Sequence, residues 1–420
     1  FNRRVVQAAL GQGTHLVMAI PDHPWVDSAN GAAVRIAMTV LAAGSGEGQV
    51  LTATDEQAGE HGEVAVSLAT TAGVIHADLK VGANVAAAQP LRANAKIGNR
   101  VVIPHGAGFV VSQAEAAQLG NPPFIRPYRN GRDLTETPRG ALVIDAHGLS
   151  AEELRDKYPS VYQWLLERVK PERDQNNRAT YRDNWWIFCE PRRELRPALA
   201  GLPRYIATVE TSKHRTFQFL DAAILPDNKL VAIALDDAYS LGVLPSQLHS
   251  EWALAAGSWL GVGNDPVYVK TRCFEAFPFP DEDTGLTPAL RERIATLAEH
   301  IDAHRKRVLA AGHQGLTLTG IYNVLEALRL GQPLSAKDQN LHQLGLCSVL
   351  RTLHDDLDAA VLQAYGWSDL AAQLVGKPGA TTPLPDKPEA QAAAEEELLR
   401  RLVELNAARA AEEARGHVRW

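Results

Sequence analysis

Apolar residues are spaced along this chain in three regimes. Up to about residue 105 they come in short runs. Residues 3–10 have helical spacing, and His-Leu-Val-Met-Ala-Ile at 15–20 is a continuous apolar run closed by Pro21, which predicts a buried strand. A second strand is predicted over 31–41 and a third over 49–54, separated by the glycine cluster Gly44-Ser-Gly-Glu-Gly48, and a further apolar stretch falls at 63–68. Strand, glycine-rich turn and strand together predict a hairpin across 44–48. From 126 to 280 the pattern is mixed. Residues 141–145, 205–209 and 229–235 read as strands, and 245–256 as a helix. Residues 150–170 read as one amphipathic helix with Ser150 as N-cap and Glu152 and Glu153 in its first turn. Beyond Pro280 the period becomes helical over 287–311, 316–330 and 347–365. A Pro/Gly/Lys linker at 377–388 then precedes a charged helix over 390–415. The expected class is α+β multidomain, β-rich at the start and helical at the end.

Composition narrows the function classes. With 420 residues, 45% of them hydrophobic, the chain has room for two or three domains with their own cores. No run approaches the ~18 apolar residues of a membrane span, so no membrane partner is expected. The start, Phe-Asn-Arg-Arg, lacks an initiator Met and a signal-peptide pattern, which predicts a piece of a longer chain. Cys189, Cys273 and Cys347 are far apart with no Cys-x-x-Cys pair, against a zinc site or a disulfide framework and in keeping with a reducing cytoplasm. The formal net charge of −7 does not suit a protein that coats nucleic acid along its whole length. The charge is uneven, however: residues 121–220 hold 17 Lys/Arg against 13 Asp/Glu, a net of +4, between acidic flanks. Localised phosphate contact calls for such a middle, and ordinary solvated surface also produces it.

Several stretches carry candidate chemistry. Asn121-Pro-Pro-Phe124 is the type of tetrapeptide with which adenine-N6 methyltransferases grip a flipped base, the Asn and a prolyl carbonyl holding the amino group and the ring stacking on it. That use requires delivery by a buried strand. Here the preceding segment, 112–119, is Ala/Gln/Glu-rich and helical in propensity and stops at Gly120, so Asn121 and Phe124 are expected to be decoys in a stiff Pro-Pro link. Gly44–Gly48 resembles a loop that cradles S-adenosylmethionine. Such a loop must open a helix, and the Val/Leu/Thr run that follows here has strand propensity. Trp185-Trp186 could stack bases, but such a pair more often packs in a core. His249, with Trp252 on one helix face, reads as structural. His300 and His304 have metal-ligand spacing on a helix but no third ligand nearby, and no metal is expected.

Six separated motifs agree on one family: residues 25–38, 126–133 (Arg-Pro-Tyr-Arg-Asn-Gly-Arg-Asp), 212–215 (Ser-Lys-His-Arg), 247–252, 274–280 (Phe-Glu-Ala-Phe-Pro-Phe-Pro) and 405–409. Together they resemble the carboxyl-terminal half of MmeI-like class I S-adenosylmethionine-dependent DNA methyltransferases of bacterial type II restriction-modification systems. The resemblance implies three parts. Residues 1–105 would be a β-rich remnant of the α/β methyltransferase sheet, 106–280 a mixed α/β target-recognition domain, and 281–420 helical support. It also implies that the cofactor loop, the catalytic tetrapeptide and any nuclease region lie upstream. S-adenosylmethionine would then serve the full-length parent, with no cofactor for this fragment, and double-stranded DNA would be the partner.

DNA recognition needs phosphate anchors to fix register and forked or planar donors to read base edges. Arg126, Arg129 and Arg132, and Lys213, His214 and Arg215, are the expected phosphate contacts. Lys270 and Arg272 are the expected base readers, the alternative for them being charged residues on an edge strand. Two other functions compete: a complete small methyltransferase using Gly44–Gly48 and Asn121–Phe124, and a protein-interaction module in which the acidic helical tail docks a partner.

Overall fold

The computed structural model describes residues 3–25, 34–58, 64–260, 265–384 and 386–419. Part of the motif at 25–38 lies outside the described residues. Contacts divide the chain into two compact units, Phe1–Gln89 with Ala392–His417 and Pro90–Gln391 with Val418–Trp420. The class is mixed α/β with several small sheets and a helical carboxyl-terminal region, as the pattern predicts.

In the first unit the helix Arg3–Leu10 precedes β1 (Thr14–Trp25), β2 (Val34–Ala43), β3 (Gly48–Ala58) and β4 (Val64–Gly73). They form one sheet in the order β2-β1-β3-β4. The hairpin expected across the glycine cluster does not form. β1 lies between β2 and β3, antiparallel to the first and parallel to the second, so 44–48 is a crossover. Gly44 turns the chain at φ +88°, and a Cβ on Gly48 would stand 2.2 Å from the Leu16 carbonyl oxygen. Glycine is what lets β3 start this close to β1. A strand follows, not a helix, and the segment has no helix N-terminus to offer a cofactor. Nor does β1 end at Pro21. It continues to Trp25 through a register irregularity between Ile20 and His23, where the missing proline N–H breaks no regular ladder. Val6, Leu16, Ala19, Val50, Ile75 and Leu79 form this unit's core.

The second unit holds two four-stranded sheets. They are built from β5 (Gly98–Arg100), β6 (Val110–Val111), β7 (Ile125–Arg129), β8 (Leu142–Ile144), β9 (Arg204–Val209), β10 (Phe217–Asp221), β11 (Leu225–Pro226) and β12 (Leu230–Ile233). One sheet has the order β10-β9-β12-β5 and the other β11-β7-β8-β6. They share a core that includes Phe109, Val143, Ile144, Leu165, Trp185 and Tyr205. β5, which a boundary at residue 105 assigns to the preceding domain, is an edge strand of the first sheet. A separate two-stranded ribbon pairs β13 (Ser258–Leu260) with β14 (Asp265–Val267).

The single helix expected over 150–170 is three: Ala151–Lys157, Pro159–Arg168 and Lys170–Asp174. Pro159 has no N–H for the ladder and pushes Tyr158 to φ −137°, ψ 57°, outside the helical region. Ser150 caps the first of the three and Glu153 closes the capping box. The helices Gln247–Ala256, Pro288–Ala310, Leu318–Arg329, Cys347–Ala364 and Glu389–Ala414 follow their periodicity. Ala336–Gly345 went unpredicted because it buries only Leu341 and Gly345, too little to leave a period. No described helix is long and apolar enough to cross a membrane.

Candidate nucleic-acid interface

Asn121 sits at a helix end, as its flanks suggest. The helix Gln113–Gln118 opens with a capping box between Ser112 and Glu115 and closes through Gly120 (φ +82°) and Asn121 (φ +47°), whose N–H donates to the Ala116 carbonyl at 2.9 Å. Phe124 packs edge-on against Tyr158 at 4.8 Å. The Asn is a left-handed cap and the ring is packing, so no base-gripping pair is assembled. Replacing Asn121 by glycine is therefore expected to leave stability unchanged or raise it by up to about 1 kcal/mol in urea unfolding, since glycine adopts this backbone without strain. A loss of that size would show that the side chain holds something.

The expected cations separate by where the fold places them. Arg126 on β7 donates from Nε and Nη2 to the carbonyls of Ala223 (3.2 Å) and Ala222 (3.0 Å), and Arg129 donates to the Tyr128 carbonyl at 3.3 Å. Arg132 is exposed. Lys213 is exposed and reaches Asn323 Oδ1 at 2.7 Å.

His214 and Arg215 correct the sequence reading, because both are buried. His214 has Nδ1 3.0 Å from Thr381 Oγ1 and Nε2 2.9 Å from Asn323 Oδ1, and burial pushes its pKa down to about 4. Arg215 donates to Thr208 Oγ1 (3.2 Å), the Pro266 carbonyl (3.2 Å) and the Val209 carbonyl. As placed, neither presents a donor to a phosphate. The run looked like a basic hook, yet its last two residues tie β9 and the ribbon to the helical region.

The aromatic and histidine candidates are structural. Trp185 is buried, and Trp186 donates from Nε1 to the Leu149 carbonyl at 2.8 Å. His249 is fully enclosed, with Nδ1 2.7 Å from the Leu244 carbonyl oxygen and its ring 4.6 Å from that of Phe277. His304 turns inward onto the Gly345 carbonyl at 2.9 Å while His300 is exposed, so the two do not converge.

What the structure does bring together is a charged groove, with Arg100, Arg192, Arg193 and Lys270 beside Glu190, Glu194 and Glu210. A cavity of about 510 Å³ is lined by Gly98, Asn99 and Arg100 of β5, by residues 190–195, and by Lys270. A second, of about 430 Å³, shares Arg100, Arg192 and Lys270 and extends to Ser258, Val267 and Thr271. Arg100 and Arg193 are exposed. Arg192 is held by its Nε to the Val101 carbonyl (3.3 Å) and by Glu190 (3.4 Å), and Lys270 pairs with Glu275 at 2.5 Å. Lys270 and Arg272 lie on the short helix Lys270–Cys273, which replaces the edge strand offered as their alternative. Arg126, Arg129, Arg132, Lys213 and Arg272 line neither cavity.

A buried anchor positions the groove's middle segment. Arg173 donates to the Pro104 carbonyl (2.7 Å), the Ile187 carbonyl (3.1 Å) and Cys189 Sγ (2.7 Å), and Ile103 N–H pairs with the Glu190 carbonyl at 3.1 Å. These bonds fasten the chain leading to Arg192 and Arg193 beside the chain leaving β5. Sequence reasoning missed Arg100, Arg192 and Arg193. The only local signal was the basic turn Pro-Arg-Arg-Glu-Leu-Arg at 191–196, whose last arginine is instead paired with Asp145 at 2.6 Å.

No curated protein matches the sequence. The family model described as "MmeI, target recognition domain" matches residues 89–281, which include every residue lining both cavities. Among solved structures, the Type IIL restriction-modification enzyme MmeI in complex with DNA matches with a TM-score of 0.64 and 18% identity, covering 96% of this chain and 47% of that one. The chain thus spans about half the length of that enzyme. Residues 89–281 match the MmeI target recognition domain, within a fold that follows MmeI over nearly the whole chain.

Proposed function

We propose that this chain supplies DNA sequence recognition to an adenine-N6 DNA methyltransferase of a bacterial restriction-modification system. The observation that carries the reading is the groove lined by Arg100, Arg192, Arg193 and Lys270 inside the segment that matches a target recognition domain. Arg100, Arg193 and Lys270 are the phosphate anchors, and Arg192 is aimed by its bonds to Val101 and Glu190. Arg272, one residue beyond the groove-lining Thr271, is the base reader; guanidinium suits the O6 and N7 acceptors of guanine.

The methyl donor, S-adenosylmethionine, belongs to the rest of the parent enzyme. The residues here do not fit it: Gly44–Gly48 leads into a strand and Asn121 caps a helix, so neither makes a cofactor or base cradle. The chain's own work is binding, in the cytoplasm, with duplex DNA and the missing amino-terminal methyltransferase region as partners.

Titration with duplex DNA at several salt concentrations, beside calorimetry with S-adenosylmethionine, tests this. Affinity is expected to fall steeply with salt. The variant Arg100→Ala/Arg193→Ala/Lys270→Ala is expected to lower the log–log slope by roughly 2–3, at about 0.9 per phosphate contact. Salt-independent binding, an unchanged slope in the variant, or clear cofactor binding by this chain alone would overturn the reading.

A further inference from the structure

The ribbon beside the groove carries two large apolar side chains that the fold does not use. Trp259 is 43% exposed and Leu260 is 58% exposed. Consecutive residues on a strand point to opposite faces, so among the described residues both faces of the ribbon stay partly open at this level. The root, by contrast, is firmly held. Arg215 Nη2 donates to the Pro266 carbonyl at 3.2 Å, Tyr268 N–H donates to the Glu210 carbonyl at 2.7 Å, and Thr211 bridges to Val267. The same root lines the groove, since Ser258 and Val267 share a cavity with Arg100, Arg192 and Lys270.

The geometry points to Trp259 as an apolar wedge that enters a base step of duplex DNA held in the groove, with Leu260 on the opposite face of the ribbon. This rests on the DNA-recognition reading above. Two observations select nucleic acid as the occupant. The surface next to the wedge presents Arg100, Arg192 and Lys270 against Glu210, donors that suit an anionic polymer, and a two-stranded ribbon is narrow enough to enter a DNA groove. Of the polymers that satisfy both, DNA also offers flat apolar faces between its base pairs. Apolar side chains at such positions part a base step, and an indole ring replaces the lost stacking. The wedge is separate from base reading by Arg272, because it recognises how easily a step opens and not which hydrogen-bond edges it shows.

The test uses two duplexes of about 20 base pairs with identical sequence, one carrying a central abasic site where stacking is already broken. The unaltered chain is expected to bind the abasic duplex roughly 10-fold more tightly, the scale of one base–aromatic stack. Trp259→Ala should bind both duplexes alike, with an unchanged salt slope and an unchanged Tm. Equal affinity of the unaltered chain for the two duplexes, or a preference that survives in the variant, overturns the wedge and leaves the groove reading standing. Absence of salt-dependent binding to either duplex overturns the groove reading, and the wedge with it.

Discussion

Replacing Arg215 by alanine is expected to destabilise the protein by about 3 kcal/mol and to leave the salt dependence of DNA binding unchanged. Two terms oppose each other at this residue. Burial disfavours the cation, and its pKa is lowered chiefly for that reason, so deleting the charge removes a cost. Deletion also takes a donor from the acceptors it serves: the Val209 carbonyl, the Pro266 carbonyl, which keeps only the Ser212 N–H at 3.4 Å, and Thr208 Oγ1, which donates its own proton to the Thr216 carbonyl at 2.8 Å. Each orphaned buried acceptor costs about 1–3 kcal/mol, and the vacated volume beside the Tyr268 ring adds a cavity term. The loss outweighs the relief. Arg215→Met keeps the packing of the stem without the donors and should recover part of the deficit. Urea unfolding measures both variants. Unchanged stability together with a salt slope lowered by about 1 would instead restore Arg215 as a phosphate contact.

Asp358→Asn is expected to be nearly neutral at pH 5 and stabilising by roughly 3 kcal/mol at pH 8. Asp358 is buried and accepts the Gln247 N–H at 2.7 Å. Burial pushes its pKa up to about 7; Arg329 and the Gln247 hydrogen bond pull it down, while Asp355 and Glu326 push it further up. The folded value lies above the unfolded one of about 3.9. The folded state therefore binds the proton more tightly, and the contribution is fully present below about pH 4 and lost as pH rises toward 7. Above that range the folded protein holds a buried carboxylate, which the amide variant avoids while still accepting the Gln247 N–H. Arg329 keeps Asp355 at 2.6 Å and Glu326 at 3.4 Å as counter-ions. Denaturant unfolding at the two pH values decides, and an equal effect at both would refute the assignment.

The sequence carried the elements that write their own period. β8, β9 and β12 and the long helices announce themselves through apolar spacing, and the end of the helix before Asn121 through Gly120. Partner choice carried no local mark. That β1 lies between β2 and β3 depends on the space Gly48 leaves beside Leu16, which no window of residues reveals. The groove was less legible still, since Arg100, Arg192 and Lys270 are far apart in sequence and meet through β5, the Arg173 anchor and the helix Lys270–Cys273. The run 213–215 failed in the other direction: charge there suggested surface, yet the only guide to burial was tertiary. The segment 274–280 is a packing motif. Phe274, Phe277 and Phe279 are all buried, and Asn94 Nδ2 donates to the carbonyls of Phe274 (3.1 Å) and Phe277 (2.7 Å).

The short strand β5 also decides where this recognition module can be cut for transplantation. Residues 98–100 pair with 231–233, so a segment excised from residue 106 onward leaves β12 with unpaired N–H and C=O groups along Val231–Ile233. A bare apolar edge of this kind templates pairing with other chains. Such a piece would aggregate, whereas one beginning at Pro90 brings its own edge guard with it.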